Sequence, residues 1–170
     1  MFIYVALLRL IHIICGVFWV GGDLVYFGFI EPVARKLGPE SAKFMEFLMA
    51  RQKLPVALSW TSRLTVLSGA LLFLRNSDMF RSGWATSTVG IGFGIGAVLG
   101  IAAMSLGEFV LDPTAKRMGM IGASIQGAPT SEQAAELNML GARMTRVGLI
   151  ETVLSVGVLA VMATTRYWIF

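Results

Sequence analysis

The chain has 170 residues, of which 56% are hydrophobic and only 14% are charged, and its mean hydropathy is +0.74. Ordinary soluble domains carry about 25% charged residues, so this composition argues against a soluble domain and for an integral membrane protein. The net charge of +4 comes without a basic cluster interleaved with aromatic residues, so nucleic acid is not an expected partner. The single cysteine, Cys15, excludes an intrachain disulfide.

Four apolar segments are long enough to cross a bilayer, which takes roughly 20 helical residues. They are residues 2–30, 54–74, 84–111 and 147–164. The polar stretch 31–53 has apolar residues at helical spacing, which predicts either an amphipathic helix at the membrane surface or a cytoplasmic extension of the second span. Thr130 followed by Gln133 predicts a capping box, which begins a helix that continues into the fourth span.

Basic residues are unevenly distributed between the two sides of these spans. Nine follow spans one and three: Arg35, Lys36, Lys43, Arg51, Lys53, Lys116, Arg117, Arg143 and Arg146. Four lie on the other side: Arg9, Arg75, Arg81 and Arg166. Because cytoplasmic loops are enriched in Lys and Arg, this asymmetry predicts that both termini lie outside. Three aromatic residues predict an interfacial belt on the outer face: Trp84, Trp168 and Phe170.

An internal repeat relates the two halves of the chain. Residues 29–38 align with residues 110–119 at an offset of 81, from residue 31 to residue 112, with an acid, Pro, Ala, two bases and Gly in register. The alignment predicts one all-α transmembrane domain over residues 1–170, a four-helix bundle of two parallel two-helix repeats. The first repeat spans about 1–80 and the second about 84–170. His12 aligns with Phe93, so the histidine is not duplicated.

One face of the first span carries most of its chemically distinctive residues. They follow one another at steps of three and four, which places them along one stripe of a helix: Arg9, His12, Gly16, Trp19, Asp23 and Tyr26. A charged group that faces lipid costs about 2.5–3.5 kcal/mol, so the stripe is expected to face protein or a cofactor.

His12, the only histidine, is the candidate ligand of a haem iron, since neutral imidazole coordinates iron well. In this interpretation Gly16 leaves room for a flat macrocycle, Trp19 lies on the same stripe, and glycines of span three form the opposite wall. Met104, well inside span three, is the candidate second ligand; the alternatives are a five-coordinate iron or a ligand from a second subunit. The competing interpretation is structural: the histidine hydrogen-bonds a neighbouring helix, and the glycines allow close helix packing.

Asp23 and Arg63 are the charged residues deepest within the spans, at about the same depth. Their placement predicts a buried ion pair that joins spans one and two. The alternative is a proton or anion relay, because intramembrane charges are often functional.

The segment Leu10-Ile-His12, continued by Trp19, Gly21 and Gly22, resembles a group of bacterial membrane proteins. The group includes the membrane domain of copper resistance protein D, related four-helix proteins and the HemJ-type protoporphyrinogen oxidase. The resemblance implies a four-helix fold in the bacterial inner membrane and a haem-binding role for His12. HemJ-type enzymes also rely on an intramembrane lysine in a later helix, whereas spans two to four of this chain contain none. Copper resistance proteins are longer and richer in histidine.

The expected function is non-enzymatic: a small accessory or structural subunit of a membrane complex, redox-active if it binds haem b at His12. Its expected partners are the lipid bilayer and other membrane subunits, or a second copy of itself. Two alternatives stay open, a porphyrinogen oxidoreductase of the HemJ type and a copper or small-solute transport protein.

Overall fold

The computed structural model describes residues 2–168, and all regular structure in this range is helical. Phe170, expected in the aromatic belt, lies outside the described residues. The seven α-helices are α1 (Phe2–Val25), α2 (Glu31–Leu37), α3 (Ala42–Glu46), α4 (Leu54–Asn76), α5 (Thr88–Leu106), α6 (Asp112–Ser124) and α7 (Ser131–Thr164). Short π-helical turns occupy Tyr26–Ile30, Phe47–Arg51 and Gly107–Leu111, and 3₁₀ turns occupy Gly38–Ser41, Gly83–Thr86 and Thr165–Tyr167.

Four helical segments are long and apolar enough to cross a membrane, as the sequence predicts: Ile3–Arg51, Leu54–Asn76, Thr88–Ser124 and Ser131–Tyr167. The third begins later than expected because Trp84 lies in a 3₁₀ turn, and the Ser87 side chain accepts a hydrogen bond from the Gly90 N–H to cap α5. The capping box of Thr130 and Gln133 is confirmed at the start of α7.

The polar stretch after the first span continues that span as helical turns, instead of extending the second span. The chain breaks this run at Lys53, whose φ of 54° is left-handed, before α4 begins. Proline explains the π-turn between α1 and α2: Pro32 has no N–H to donate to the preceding turn, and a wider turn absorbs the loss. Pro113 has the same relation to the π-turn between α5 and α6.

The helices form two closely packed pairs, α1 with α4 and α5 with α7, and contacts of α4 with α5 and of α1 with α7 close the bundle. Glycine permits these approaches: a Cβ on Gly22 would lie 2.5 Å from the Leu58 side chain, and one on Gly92 would lie 2.6 Å from Thr165.

The outer surface is apolar along the length of the bundle. Val17 on α1, Val98 on α5 and Val153 on α7 are 65%, 68% and 71% exposed. Monomeric soluble proteins rarely expose continuous apolar surface on this scale, whereas helices surrounded by lipid do.

A buried apolar cluster lies around two of the π-turns. It consists of Tyr26, Phe27, Leu111 and Met144, with the rings of Tyr26 and Phe27 edge to face at 4.8 Å. Gly148 of α7 lies against this cluster, since a Cβ there would be 2.0 Å from the Phe27 ring. The backbone of α7 therefore sits directly on an aromatic ring.

Gly148→Ala is expected to lower the melting temperature of the detergent-solubilised protein, because overpacking a core costs about 1–3 kcal/mol. Gly157→Ala on the same helix is the matched control, since nothing lies within 4 Å of its Cβ position. Alanine favours a helix over glycine by about 0.8–1.0 kcal/mol, so the control should melt at the same or a higher temperature. Equal melting temperatures for both variants would show that α7 does not rest on Phe27.

Candidate functional site

A cavity of about 480 Å³ lies between α1, α4, α5 and α7 and is here called the His12 cavity. Its end nearest the termini is polar, with Arg9, Asn76 and Arg166. The remaining walls are mainly aromatic, aliphatic and small: Trp19, Phe73, Trp84, Phe93, Gly96, Ala97, Gly100, Val158 and Met162 are among them. The helix order explains the polar end, because the beginning of α1 and the ends of α4 and α7 lie on the same side.

The imidazole of His12 is held in one orientation by α4. Its Nδ1 lies 2.8 Å from the carbonyl oxygen of Thr65. A backbone carbonyl only accepts hydrogen bonds, so Nδ1 carries the hydrogen and Nε2 presents its lone pair. The ring also packs on Gly69, where a Cβ would be 2.8 Å from the ring carbon Cε1. His12 therefore needs both the Thr65 carbonyl and a glycine at position 69.

The other ring nitrogen of His12 is available for a ligand. Within residues 2–168, Nε2 forms no hydrogen bond, and no fully buried side-chain nitrogen or oxygen is left without a partner. Nε2 is therefore accessible, and His12 lines the cavity. A histidine whose Nδ1–H is fixed by a backbone carbonyl while Nε2 is free has the arrangement of metal-ligating histidines.

Of three further residues predicted to bind the cofactor, Trp19 lines the His12 cavity, whereas Gly16 and Met104 do not. Trp19 is 3% exposed and lines the His12 cavity, in agreement with its place on the stripe. Gly16 does not face the cavity: its Cβ position is 3.4 Å from Thr65, so the glycine brings α1 close to α4 instead of leaving room for a macrocycle. Met104 is absent from the cavity lining, which on α5 ends at Ile101, about one helical turn before it.

Met162 takes the place that the sequence analysis gave to Met104. It lines the His12 cavity from α7, and its methyl carbon would be 2.6 Å from a Cβ on Gly96. Gly96 and Gly100 do form part of the wall, whereas Gly92 packs on Thr165. Met162 reaches the His12 cavity because α7 packs against α5. The spacing of residues within α7 does not predict which helix α7 packs against.

A second, smaller cavity of about 90 Å³ lies further along the bundle and is called the acidic cavity here. Four carboxyl groups line it together with Ser59, Ser62 and Trp19: Asp23, Glu108, Asp112 and Glu151. Trp19 lines both cavities and so lies between them.

The predicted ion pair of Asp23 with Arg63 is not formed. Arg63 instead pairs with Glu108, which also accepts a hydrogen bond of 2.5 Å from the Ser59 hydroxyl. Asp23 turns to α7, where the Ser155 hydroxyl donates to its Oδ2 atom at 3.4 Å. The contacts of Gly16 with Thr65 and of Gly22 with Leu58 set the antiparallel register of α1 and α4. In this register Arg63 is level with residue 18, about five residues along α1 from Asp23. The side chain of Arg63, which is 48% exposed, meets Glu108 in the π-turn after α5.

Comparison with protein-family models, with curated proteins and with solved structures finds no match for this chain. The two cavities and the residues that line them are therefore the features that bear on function.

A double-mutant cycle distinguishes the observed ion pair from the predicted one. In thermal unfolding of the detergent-solubilised protein, the destabilisations of Arg63→Gln and Glu108→Gln should be less than additive, because each variant removes the same interaction. The control cycle of Arg63→Gln with Asp23→Asn should be additive. Additive effects in the cycle of Arg63 with Glu108, together with coupled effects in the cycle of Arg63 with Asp23, would contradict the observed pair and support the one predicted from the sequence.

Proposed function

We propose that this protein is an integral membrane four-helix bundle that binds haem b in the His12 cavity and serves as a subunit of a membrane redox complex. The observation that carries the proposal is the geometry of His12, with Nδ1–H fixed on the Thr65 carbonyl and Nε2 accessible at a large, mainly apolar cavity. Neutral imidazole in this state is an axial ligand of haem iron.

The composition of the cavity fits a haem. Its volume of about 480 Å³ lies within the roughly 300–1,000 Å³ typical of small-molecule and cofactor sites. A flat macrocycle suits walls of glycine and aromatic rings, such as the stacked pair Trp84 and Phe93 at 6.1 Å. Haem also carries two carboxylates, and Arg9 and Arg166 at the polar end are their natural partners.

Each group in the cavity has a defined role in this proposal. His12 would hold the iron, Arg9 and Arg166 would orient the carboxylates, and Met162 is the thioether on the opposite helix pair that is available as a second ligand. When bound, haem supplies one-electron transfer. The protein's own contribution is to fix the imidazole, exclude water through the apolar walls and close the cavity below with Trp19, which is buried.

The finer architecture belongs to the same proposal. The π-turns that begin at Tyr26 and Gly107 are 81 residues apart, and each is followed by an acid and a proline. This recurrence supports two parallel hairpin repeats. The excess of basic residues in the polar helical extensions supports an orientation with these extensions inside and both termini outside the bacterial inner membrane. The exposed apolar faces are available to lipid and to other membrane subunits or a second copy.

A porphyrinogen oxidoreductase of the HemJ type is the second candidate function, because the same two arginines would also recognise the carboxylates of a tetrapyrrole substrate. Oxidation of a porphyrinogen by the purified protein distinguishes this enzyme from a redox subunit, which would bind haem without turnover.

The test of haem binding is an optical spectrum of the protein purified from cells supplied with a haem precursor. The wild type should show a Soret band that shifts on reduction with dithionite. His12→Ala should lose the band, whereas Cys15→Ser should keep it, because Cys15 lies on the same helix and outside the cavity lining. A wild type without a Soret band, or an undiminished band in His12→Ala, would contradict the proposal.

A further inference from the structure

Asp23 and Glu151 form a buried carboxyl pair between α1 and α7. Asp23 is 2% exposed and Glu151 is 4% exposed, and both line the acidic cavity. Ser155, one turn from Glu151 on α7 and fully buried, donates to Asp23. This shared neighbour places the two carboxyl groups on facing sides of the same helix contact.

Neither carboxyl group has a basic partner within residues 2–168. The ion pairs described there are Arg35–Glu31, Arg63–Glu108, Lys116–Asp112 and Arg117–Glu136. In the described part of the chain, the Ser155 hydroxyl donates to the Oδ2 atom of Asp23, and the Trp19 side chain lines the cavity together with Glu151. The Oδ1 atom of Asp23 has no hydrogen-bond partner in the described part of the chain, and because no fully buried side-chain oxygen there lacks a partner, this atom is open to the cavity that Asp23 lines.

This combination favours a bound cation. An ionised carboxylate in an apolar interior is strongly unfavourable unless it is paired, and a second carboxylate beside it adds repulsion. A hydroxyl and an indole can hydrogen-bond the pair but do not neutralise its charge.

We propose that Asp23 and Glu151 together bind one monovalent cation, a proton or a sodium ion, that reaches them through the acidic cavity. The cavity's volume of about 90 Å³ suits water and small ions, not an organic substrate. The unpartnered Asp23 oxygen faces this space with Glu151, and Ser59 and Ser62 add hydroxyl oxygens along the wall.

The other ionisable groups around the cavity do not replace the cation. Glu108 is engaged with Arg63, and Asp112 is engaged with Lys116 at 2.6 Å. Tyr26, in the π-turn that follows α1, is the remaining ionisable side chain of the lining. None of these groups brings a free positive charge to Asp23 or Glu151. The inference does not depend on haem, but Trp19 places the cation site directly beside the His12 cavity.

Infrared spectroscopy of the detergent-solubilised protein tests the proposal. In sodium-free choline buffer at pH 7, the wild type should show the C=O stretching band of a protonated carboxylic acid, and the band should be lost in the double variant Asp23→Asn/Glu151→Gln. Glu136→Gln is the control, since this carboxyl pairs with Arg117 away from the cavity. Asp23→Asn alone should shift the band, which provides a second reading if the double variant does not fold.

Sodium chloride added at constant pH distinguishes the two cations. A band that disappears in sodium identifies a sodium site in competition with the proton, whereas an unchanged band identifies a proton site. The absence of the band in choline together with no spectral response to sodium would overturn the proposal. A band that remains unshifted in both the single and the double variant would overturn it as well.

Discussion

The bundle depends on the close contact between helix backbones that glycine permits. Helices surrounded by lipid gain little from packing apolar side chains on one another, so association relies on small residues and on polar groups that meet between helices. Three glycines make this contact between α1 and α4: Gly16 against Thr65, Gly22 against Leu58 and Gly69 against the ring of His12. The approach at Gly69 brings the Thr65 carbonyl within hydrogen-bond distance of His12, so packing and ligand orientation have one cause.

The polar residues of the spans are then divided between two internal spaces. The His12 cavity is large, has glycine and aromatic walls and carries arginine at one end, which suits a planar molecule with carboxylates. The acidic cavity is small and carries carboxyl and hydroxyl groups, which suits a cation. Trp19 belongs to both linings and so connects the proposed cofactor site with the proposed cation site. The proposed haem and the proposed cation would therefore be separated by one side chain.

Much of the fold follows from local pattern. The four spans, the capping box at Thr130 and the inward placement of Trp19 and Asp23 depend on hydropathy, capping and helical period, all of which are local properties. The residues that a side chain meets on another helix do not follow from local pattern. Depth estimated along the sequence pairs Arg63 with Asp23, whereas the register and rotation of α4 against α1 direct Arg63 to Glu108. The relative arrangement of α5 and α7 likewise decides that Met162, and not Met104, lines the His12 cavity.

The central claim is that the His12 cavity is the haem site, and a haemin titration of cavity-filling variants tests it most directly. Ala97 lines the cavity, whereas Ala102, five residues along α5, is exposed on the outer surface. Followed by Soret absorbance, the wild type and Ala102→Phe should bind one haem per chain with equal affinity, and Ala97→Phe should bind at least about tenfold more weakly, a loss of about 1.4 kcal/mol. Equal affinity in both variants, or no saturable binding by the wild type, would contradict the account.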